Sequence, residues 1–164
     1  IKIMKNIALI INAFHRSKIE ATNLSTIQLA KELNSRGHNA IIITDHKSNL
    51  PEKETIDEVK VYRIKMPFTD KINKLFFTLI GIRKVEHLEN ISFDVIHGFS
   101  ASPLLATRTI ISKPFKKIKR IQTLKSKTRY KPTYLAAPLL NLVSTVTLGS
   151  RSIEDIITKY GTFK

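Results

Sequence analysis

Short apolar runs alternate with amphipathic stretches along this chain. The first run covers residues 6–12 (NIALIIN), and its nearly continuous apolar character is typical of a strand buried on both faces of a parallel sheet. A polar loop at 13–22 leads into a predicted helix with one apolar side. That side comprises Leu24, Ile27, Ala30 and Leu33. Gly37 is predicted to end the helix, with Arg36 in its last turn, and residues 39–45 (NAIIITD) predict a second strand.

Two strands joined by a crossover helix form a right-handed βαβ unit. Residues 6–12 and 39–45 are therefore predicted to lie parallel, with the loop at 13–22 at the carboxyl edge of their sheet. In open α/β sheets, ligands bind at that edge. We therefore expect the functional site among the loops that follow the strands.

The alternation of strands and helices continues to residue 160. Further strands are predicted at 59–66, 92–99, 117–124 and 144–149. Further helices are predicted at 70–88, 102–111, 132–143 and 150–160. Residues 46–57 are polar and predict a loop, and the mixed apolar and charged pattern of 59–66 places that strand near the sheet edge. Residues 1–164 thus predict a single α/β domain, with a doubly wound, mostly parallel Rossmann-like sheet of about six strands and helices on both faces.

The composition fits one folded domain. The chain has 164 residues, of which 42% are hydrophobic, and this suffices for one compact core. It contains no cysteine, which excludes disulfides and thiolate metal sites and agrees with a reducing, cytoplasmic location. The sequence shows no metal-ligand cluster, no Ser/His/Asp triad order and no P-loop, and no apolar run approaches the ~20 residues of a membrane span.

Positive charge is concentrated in the second half of the chain. Residues 1–94 hold 15 Lys and Arg against 11 Asp and Glu, whereas residues 95–164 hold 13 against 2, and the net charge is +15. Such a field attracts nucleic acid, anionic lipid headgroups or phosphorylated small molecules. A basic surface that is merely solvated explains the composition equally well. Nucleic acid is the less favoured partner, because the basic run offers only Tyr130 and Tyr134 as aromatic platforms.

Five segments follow one another in a characteristic order. They are NIALIIN, LAKELNSRGHNAIIIT, EVKVYRI, DVIHGFS and VSTVTLGSRSIEDIITKYG. Together they span nearly the whole chain and resemble the amino-terminal domain of family-four retaining glycosyltransferases of the GT-B fold. The resemblance implies two Rossmann-like domains with the reaction in the cleft between them, the first binding the acceptor and the second most of the nucleotide-sugar. It also implies that residues 1–164 are the first half of such an enzyme, without its carboxyl-terminal donor-binding domain.

The resemblance further implies an activity. A hexosyltransferase of this family would move a sugar from a UDP- or GDP-sugar to a glycan or lipid-linked acceptor, with retention at the anomeric carbon. No cofactor and no metal is expected on this domain alone. Because most catalytic groups would come from the second domain, we expect residues 1–164 by themselves to be inactive.

The sequence departs from the family pattern at three places. The Gly-Gly pair that usually precedes the first helix falls on Glu20 and Ala21, so a negative side chain lies where a donor phosphate would approach the backbone. Phe99 replaces a second histidine after DVIH, and Lys125 replaces the histidine of a Thr-x-His segment that here begins at Thr123. Three interpretations stay open: an unusual acceptor, a diverged mechanism or a non-catalytic homologue.

Candidate site residues lie in or beside the loops of the predicted carboxyl edge. His97 and Lys125 are the candidate catalytic residues, since an imidazole or a cation can contact a sugar hydroxyl or a phosphate. The other candidates for the acceptor and donor cleft are Asn12, Phe14, His15, Glu20, Ala21, Thr22, Gly98, Phe99, Ser100, Ser126 and Ser150. Structural roles remain open beside these, such as a satisfied core histidine, a packed loop aromatic or a helix N-cap.

Residues 71–84 (KINKLFFTLIGIRK) raise a second hypothesis. This predicted helix has an apolar middle and basic ends and is too short to span a bilayer, which is typical of a helix that lies in the lipid interface. The surface would comprise Lys71, Lys74, Phe76, Phe77, Arg83 and Lys84. It predicts a peripheral position on the inner face of the cell membrane, although a helix that covers the sheet has nearly the same pattern. The rival from another functional class is a non-catalytic binding module on the same fold.

Overall fold

A computed structural model of this chain describes residues 3–11, 14, 21–46, 49–65, 70–99, 118–124 and 145–148, with the backbone alone at 21–22, 70–79, 124 and 145–148. The described strands are β1 (Asn6–Ile11), β2 (Asn39–Asp45), β3 (Lys53–Ile56), β4 (Val59–Ile64), β5 (Val95–Phe99), β6 (Lys119–Leu124) and β7 (Thr145–Leu148). The described helices are α1 (Ala21–Ser35) and α2 (Asp70–Glu89). The helices predicted at 102–111, 132–143 and 150–160 lie outside the described residues.

The described strands form one sheet in the order β3-β4-β2-β1-β5-β6-β7. Neighbouring strands are parallel, except that β3 and β4 are antiparallel. The chain builds first from β1 towards β2 and β4, and then returns to the other side of β1 with β5, β6 and β7. This is the doubly wound, mostly parallel α/β sheet that the sequence predicts, and its direction reverses between β1 and β5.

The two helices cover opposite faces of the sheet. Leu9 of β1 lies in one core cluster with Ala30 of α1, and the next residue, Ile10, lies in the other cluster with Ile82 of α2. Adjacent residues of a strand point to opposite faces, and both faces here are covered, so the strand is apolar without interruption. We call the side that carries Leu9 the α1 face and the side that carries Ile10 the α2 face.

Helix α2 lies close to the sheet at Gly81. A Cβ atom at this position would come within 2.9 Å of Ile64 Cγ1 and 3.2 Å of Ile43 Cγ2. Contacts this short would force a shift in a close-packed core. The absence of a side chain therefore allows α2 to approach β2 and β4.

Both helices end in the same hydrogen-bonded motif. After α1, the His38 N–H donates to the Leu33 carbonyl (3.1 Å) and the Gly37 N–H to the Asn34 carbonyl (2.9 Å), with φ of +82° at Gly37. After α2, Asn90 takes the place of the glycine with φ of +51°. This is the Schellman arrangement, which requires a left-handed residue just past the helix. The prediction that Gly37 ends the first helix is confirmed, but Arg36 follows α1, which ends at Ser35, and does not lie in its last turn.

Strand β3 is the main difference from the sequence-based prediction, which places a loop at 46–57. Lys53–Ile56 pairs with β4 through a two-residue turn at Asp57 and Glu58, whose φ angles are +47° and +67°. Two consecutive positive φ angles are typical of a type I′ hairpin turn, which Asn-Gly or Asp-Gly usually forms. The loop prediction was wrong here because Asp-Glu does not indicate such a turn. The expectation that residues 59–66 lie near the sheet edge is confirmed, since β4 is second from it.

The start of α1 also differs from the prediction. Residues 21 and 22 belong to the helix rather than to the preceding loop. Leu24 was expected on the apolar side, but 47% of it is exposed, whereas Asn23 and Thr26 are buried. A small rotation of a helix about its axis exchanges neighbouring positions at the border of its buried side, and apolar spacing alone does not fix that rotation.

An ion pair fastens the β3–β4 hairpin on the α1 face. The Arg63 guanidinium, whose side chain is fully buried, pairs with the carboxylate of Glu54. Its Nη1 donates to the Pro51 carbonyl (3.0 Å), and its Nε has no hydrogen-bond partner among the described residues. On the α1 face of β4, the neighbours of Arg63 are the apolar residues Val59 and Val61. Because Glu54 is the carboxylate that pairs with Arg63, removing it would leave a buried charge uncompensated.

A second charged cluster fastens the hairpin on the α2 face. The Glu89 carboxylate accepts hydrogen bonds from Lys60, from the Tyr62 hydroxyl and from Lys53 Nζ (3.0 Å). The hydrogen bonds from Lys60 and Tyr62 lower the pKa of Glu89 to about 2. Burial, together with the hydrogen bond to Glu89, raises the pKa of the Tyr62 phenol. Glu89 is the last residue of α2, so this cluster links the end of the helix to both strands of the hairpin.

Candidate functional site

The carboxyl ends of four parallel strands meet at one edge of the sheet. The strand register places Ile11 of β1 beside Thr44 of β2 on one side and beside Phe99 of β5 on the other, and Phe99 in turn beside Thr123 of β6. These four residues are on the α1 face. The loops that follow these strands start here, at the edge and switch point where open α/β sheets bind ligands.

Phe14 lies in the first of these loops and is part of the core. Its side chain is 2% exposed and lies in the cluster on the α1 face, and its N–H donates to Thr44 Oγ1 (3.1 Å). Phe14 is one of the predicted cleft residues, but almost none of its surface is accessible to a ligand. The structural alternative, a loop aromatic packed on its neighbours, describes this residue.

The loop after β2 turns back towards β4 at the same edge. The His46 N–H donates to the Ile64 carbonyl (3.1 Å), and its ring Nε2 is hydrogen-bonded to the Leu50 carbonyl (3.0 Å). Asn49 has φ of +78°, which a turn requires and which asparagine tolerates better than most residues. The described part of the loop is thus tied to the sheet by both the backbone and the side chain of His46.

His97 lies in the middle of β5 and not at its end. The register pairs it with Leu9 of β1 and Ile121 of β6. Its Nε2 is 2.7 Å from Thr123 Oγ1, and its ring stacks on Phe99 with centroids 4.0 Å apart and an interplanar angle of 28°. The strand predicted at 92–99 ends at Phe99 as expected and begins at Val95, so His97 lies two residues before its end. His97 therefore reaches the edge through the Thr123 hydroxyl and the Phe99 ring.

The other predicted site residues fall into two groups. Gly98 and Phe99 are buried within β5, with Phe99 4% exposed, and residues 21 and 22 form the first turn of α1, whose amino end lies at the carboxyl edge of the sheet. The candidates outside the described residues are Asn12, His15, Glu20, Ser100, Lys125, Ser126 and Ser150. The structure therefore brings His97, Phe99 and Thr123 together and gives no geometry for Lys125.

The described half of α2 has an exposed side of mixed character. Ile80 is 42% and Leu88 56% exposed, and the side chains of Arg83 and Lys84 are exposed beside them. Lys84 Nζ lies 3.3 Å from a Glu52 oxygen. The side chains of Lys71, Lys74, Phe76 and Phe77 lie outside the described residues. None of the helices in the described ranges is long and apolar enough to cross a membrane.

Sequence reasoning missed several buried polar residues of the sheet. Thr44 and Gln122 are fully buried, and Arg120 is 9% exposed, with burial lowering the pKa of its guanidinium. Thr44 follows three isoleucines in β2, and a hydroxyl at the carboxyl end of such a run could have identified it. Gln122 and Arg120 alternate with Ile121 in β6, where a mixed pattern suggests an exposed strand instead.

A cavity of about 490 Å³ opens at the opposite, amino-terminal edge of the sheet. Its lining residues are Gln28, Lys31, Glu32, Asn34, Ser35, Asp57, Glu58 and Val59. It lies between the second half of α1 and the β3–β4 turn, away from the loops described above. Within the described ranges, no group of three or more His, Asp or Glu residues is placed to hold a metal ion.

Comparison with known proteins gives a family and a fold. The model of a family described as Glycosyltransferase Family 4 matches residues 23–163. Sucrose-phosphate synthase from Thermosynechococcus elongatus is similar in structure, with a TM-score of 0.71 and 14% identity over 98% of this chain and 47% of that chain. No curated protein matches the sequence.

Two further solved structures share the fold. The catalytic domain of starch synthase IV from Arabidopsis thaliana, bound to ADP and acarbose, has a TM-score of 0.55 and 12% identity over 75% of this chain and 34% of that one. UDP-GlcNAc 2-epimerase from Methanocaldococcus jannaschii has a TM-score of 0.56 and 16% identity over 94% of this chain and 42% of that one. The chain therefore spans less than half the length of each of these proteins.

Proposed function

This chain belongs to Glycosyltransferase Family 4, and from that membership we propose that it is the acceptor-side half of a sugar transferase. The enzyme would transfer a hexose from a UDP- or GDP-sugar to a hydroxyl of a glycan or lipid-linked acceptor, with retention at the anomeric carbon. The observation that carries the proposal is the family match over residues 23–163, because the fold alone is shared with an epimerase.

The proposed cleft lies at the carboxyl edge of the sheet, around β1, β2, β5 and β6. Three features support this position: the direction of the sheet reverses there, the amino end of α1 points there, and a hydrogen-bonded histidine lies beneath it. A helix amino terminus favours anions such as a phosphate. His97 and Thr123 would support the floor of the cleft, and Lys125 would lie in the loop after β6.

A second α/β domain is part of the proposal. The similar structures are each more than twice as long as this chain, and the donor site and most of the catalytic electrostatics would lie on the additional length. We therefore expect the full-length natural protein to transfer sugar and the 164-residue chain to show none.

The test uses both proteins with radiolabelled UDP-glucose, UDP-N-acetylglucosamine and GDP-mannose, and with lipid extract and oligosaccharides as acceptors. Labelled product from the full-length protein alone is the expected result. Transfer by the 164-residue chain would contradict the two-domain proposal. Conversion of a donor to its C2 epimer without transfer would show that the protein is an epimerase and not a transferase. No reaction with any donor would favour the non-catalytic binding module.

We also propose that the protein docks on anionic membrane at the inner face of the cell membrane through α2. The observation that favours this is the exposed side of that helix, where Ile80 and Leu88 are accompanied by Arg83 and Lys84. Sedimentation with vesicles of phosphatidylglycerol should carry the protein into the pellet, and vesicles of phosphatidylcholine should not. Absence from both pellets at low and high salt would remove the membrane proposal without affecting the transferase proposal.

A further inference from the structure

The cavity at the amino-terminal edge is an open groove between the second half of α1 and the β3–β4 turn. Its volume of about 490 Å³ lies within the roughly 300–1,000 Å³ of small-molecule pockets. Gln28, Lys31 and Ser35 line it from α1, and their spacing places them on one side of the helix. Asp57 and Glu58 line it from the turn. We call this cavity the α1–turn groove.

The polar side chains of the groove are not engaged with one another. Gln28, Lys31, Asp57 and Glu58 form no side-chain hydrogen bond or ion pair within the described part of the chain. Asn34 also lines the groove, and its Oδ1 accepts a backbone N–H at the start of β2 (2.7 Å), so its Nδ2 remains as a donor. The groove thus offers hydrogen-bond donors on the helix side and carboxylates on the turn side, and both are available to a ligand.

The two walls of the groove are fixed and stay apart. The Schellman motif ends the helix wall, and the pairing of Ile56 with Val59 closes the turn wall. On the α2 face, lysines of both hairpin strands pair with Glu89 and so connect the hairpin to its helix. Across the α1–turn groove, Lys31 and the two carboxylates line the same space, but no ion pair joins them. The space between the walls can therefore take up another molecule.

We propose that the α1–turn groove binds a short neutral oligosaccharide through its hydroxyl groups. A carboxylate only accepts hydrogen bonds and an ammonium group only donates them, whereas a sugar hydroxyl does both and can bridge the two walls. A phosphate ester would be repelled by Asp57 and Glu58, and a polyamine would be repelled by Lys31. Because the groove lies at the opposite edge of the sheet from the proposed cleft, this binding does not depend on sugar transfer.

The first experiment follows the backbone amides of the 164-residue chain by NMR during titration with maltotriose, cellotriose, mannotriose and chitotriose. At least one sugar should shift the amides of Lys31, Ser35, Asp57 and Glu58 in a saturable way. The Kd should be roughly 1–10 mM, because none of the described lining residues is aromatic. Inorganic phosphate and spermidine are the charged probes and should give no saturable shift there. The proposal is overturned if no sugar binds, if the shifts map to another surface, or if spermidine binds the groove and the sugars do not.

The second experiment removes the carboxylates of the turn without weakening the fold. Asp57→Asn combined with Glu58→Gly gives the residue pair that type I′ turns favour, so the free energy of unfolding should be equal or higher. For the sugar that binds, the Kd should nevertheless rise by about 10-fold, because two charged acceptors are lost. Glu52→Gln is the matched control, since it removes an exposed carboxylate outside the groove and should leave the Kd unchanged. An unchanged Kd in the double variant, or an equal rise in Glu52→Gln, would refute the assignment of the site to this groove.

Discussion

The two edges of the parallel sheet are held together by different kinds of contact. At the amino-terminal edge, side chains join one element of the sheet to the next. The Asn6 N–H donates to Asp94 Oδ2 (2.9 Å), Asn39 Nδ2 donates to Asn6 Oδ1 (3.0 Å) and Asn6 Nδ2 donates to the Ser92 carbonyl (3.1 Å). These bonds tie the starts of β1, β2 and β5 together. They fix the register of the strands at the end opposite the proposed cleft.

At the carboxyl edge, two of the described side-chain bonds instead involve loop residues. Thr44 of β2 holds Phe14, and His46 holds Leu50, whereas His97 joins β5 to Thr123 of β6. The difference teaches that this sheet uses its two edges differently: contacts at the amino-terminal edge join the starts of the strands, and contacts at the carboxyl edge reach the loops of the proposed cleft. Substitutions at the two edges should then affect different measurements.

The largest expected effect is a loss of stability at the Arg63–Glu54 ion pair. It runs against the comparison of the two edges, because Arg63 lies near the carboxyl end of β4. Arg63 is level with Thr44 and fully buried, and its carboxylate partner is Glu54. Glu54→Ala should lower the free energy of unfolding by about 3–5 kcal/mol, since it leaves a buried charge uncompensated. Urea unfolding measures the change. The double variant Glu54→Met with Arg63→Met removes both charges and should be close to the unmodified protein in stability. A loss of less than 1 kcal/mol in Glu54→Ala would show that Arg63 finds another partner.

The second effect is a pH dependence at the end of α2. The pKa of Glu89 is about 2 in the folded protein and 4.5 ordinarily, so its contribution to stability is present in full above pH 4.5 and is lost as the pH falls through 2. That contribution should amount to about 2–3 kcal/mol and is followed by urea unfolding between pH 6 and pH 2. Glu89→Gln should remove this part of the pH dependence, and Glu32→Gln, at an exposed i,i+4 pair, is the control that should leave it in place.

The third effect is a loss of stability at Asp94, which tests whether the amino-terminal edge serves stability alone. Asp94→Ala should lower the free energy of unfolding by about 1–2 kcal/mol, because the Asn6 N–H loses its acceptor and Lys5 loses its ion pair (3.6 Å). Asp94→Asn keeps an oxygen for the Asn6 N–H and should lose less than 1 kcal/mol. In the full-length protein, both variants should keep the transfer rate per folded molecule. A fall in that rate with unchanged unfolding would mean that this edge also serves the site.

The smallest effect on stability is expected at His97, although the same substitution should lower the transfer rate clearly. His97→Gln should cost about 1 kcal/mol, since it removes the ring stacked on Phe99. The transfer rate of the full-length protein should nevertheless fall by about 10-fold, because the hydrogen bond to Thr123 changes its geometry. His87→Gln, at an exposed position of α2, is the control for the loss of a histidine and should leave both quantities unchanged. Equal transfer rates in the two variants would assign His97 to the core alone.

The fold was largely predictable because its strands are covered on both faces. Continuous apolar runs such as NIALII and NAIIITD are typical of buried parallel strands, and the helix between these two has a clear end at Gly37. The hairpin strand β3 was not predictable in the same way. KETI has only one buried residue, Ile56, and its pairing with β4 depends on positive φ angles at Asp57 and Glu58 that their residue types do not favour.

The location of the site at the carboxyl edge stays a prediction, and the structure changes what several candidate residues there can do. The carboxyl edge follows from the βαβ order alone, and the DVIH segment directed attention to His97. Burial decides what such a residue can do, and it depends on neighbours that are distant in sequence: Phe14 meets Thr44 thirty residues away, and His97 meets Thr123 twenty-six residues away. A one-dimensional pattern does not encode these contacts, so it offered Phe14 as a cleft residue and overlooked Thr44.

The antiparallel strand β3 closes one side of the described sheet and has a consequence for handling the protein. An outermost strand offers unpaired backbone groups to which a second copy can attach, and concentrated solutions then precipitate. This strand is only four residues long, Pro51 and Glu52 come just before it, and the Lys53 side chain is 57% exposed. Short length, a nearby proline and exposed charge are the features that oppose such attachment. The protein should therefore not self-associate through β3 at the concentrations that spectroscopy requires.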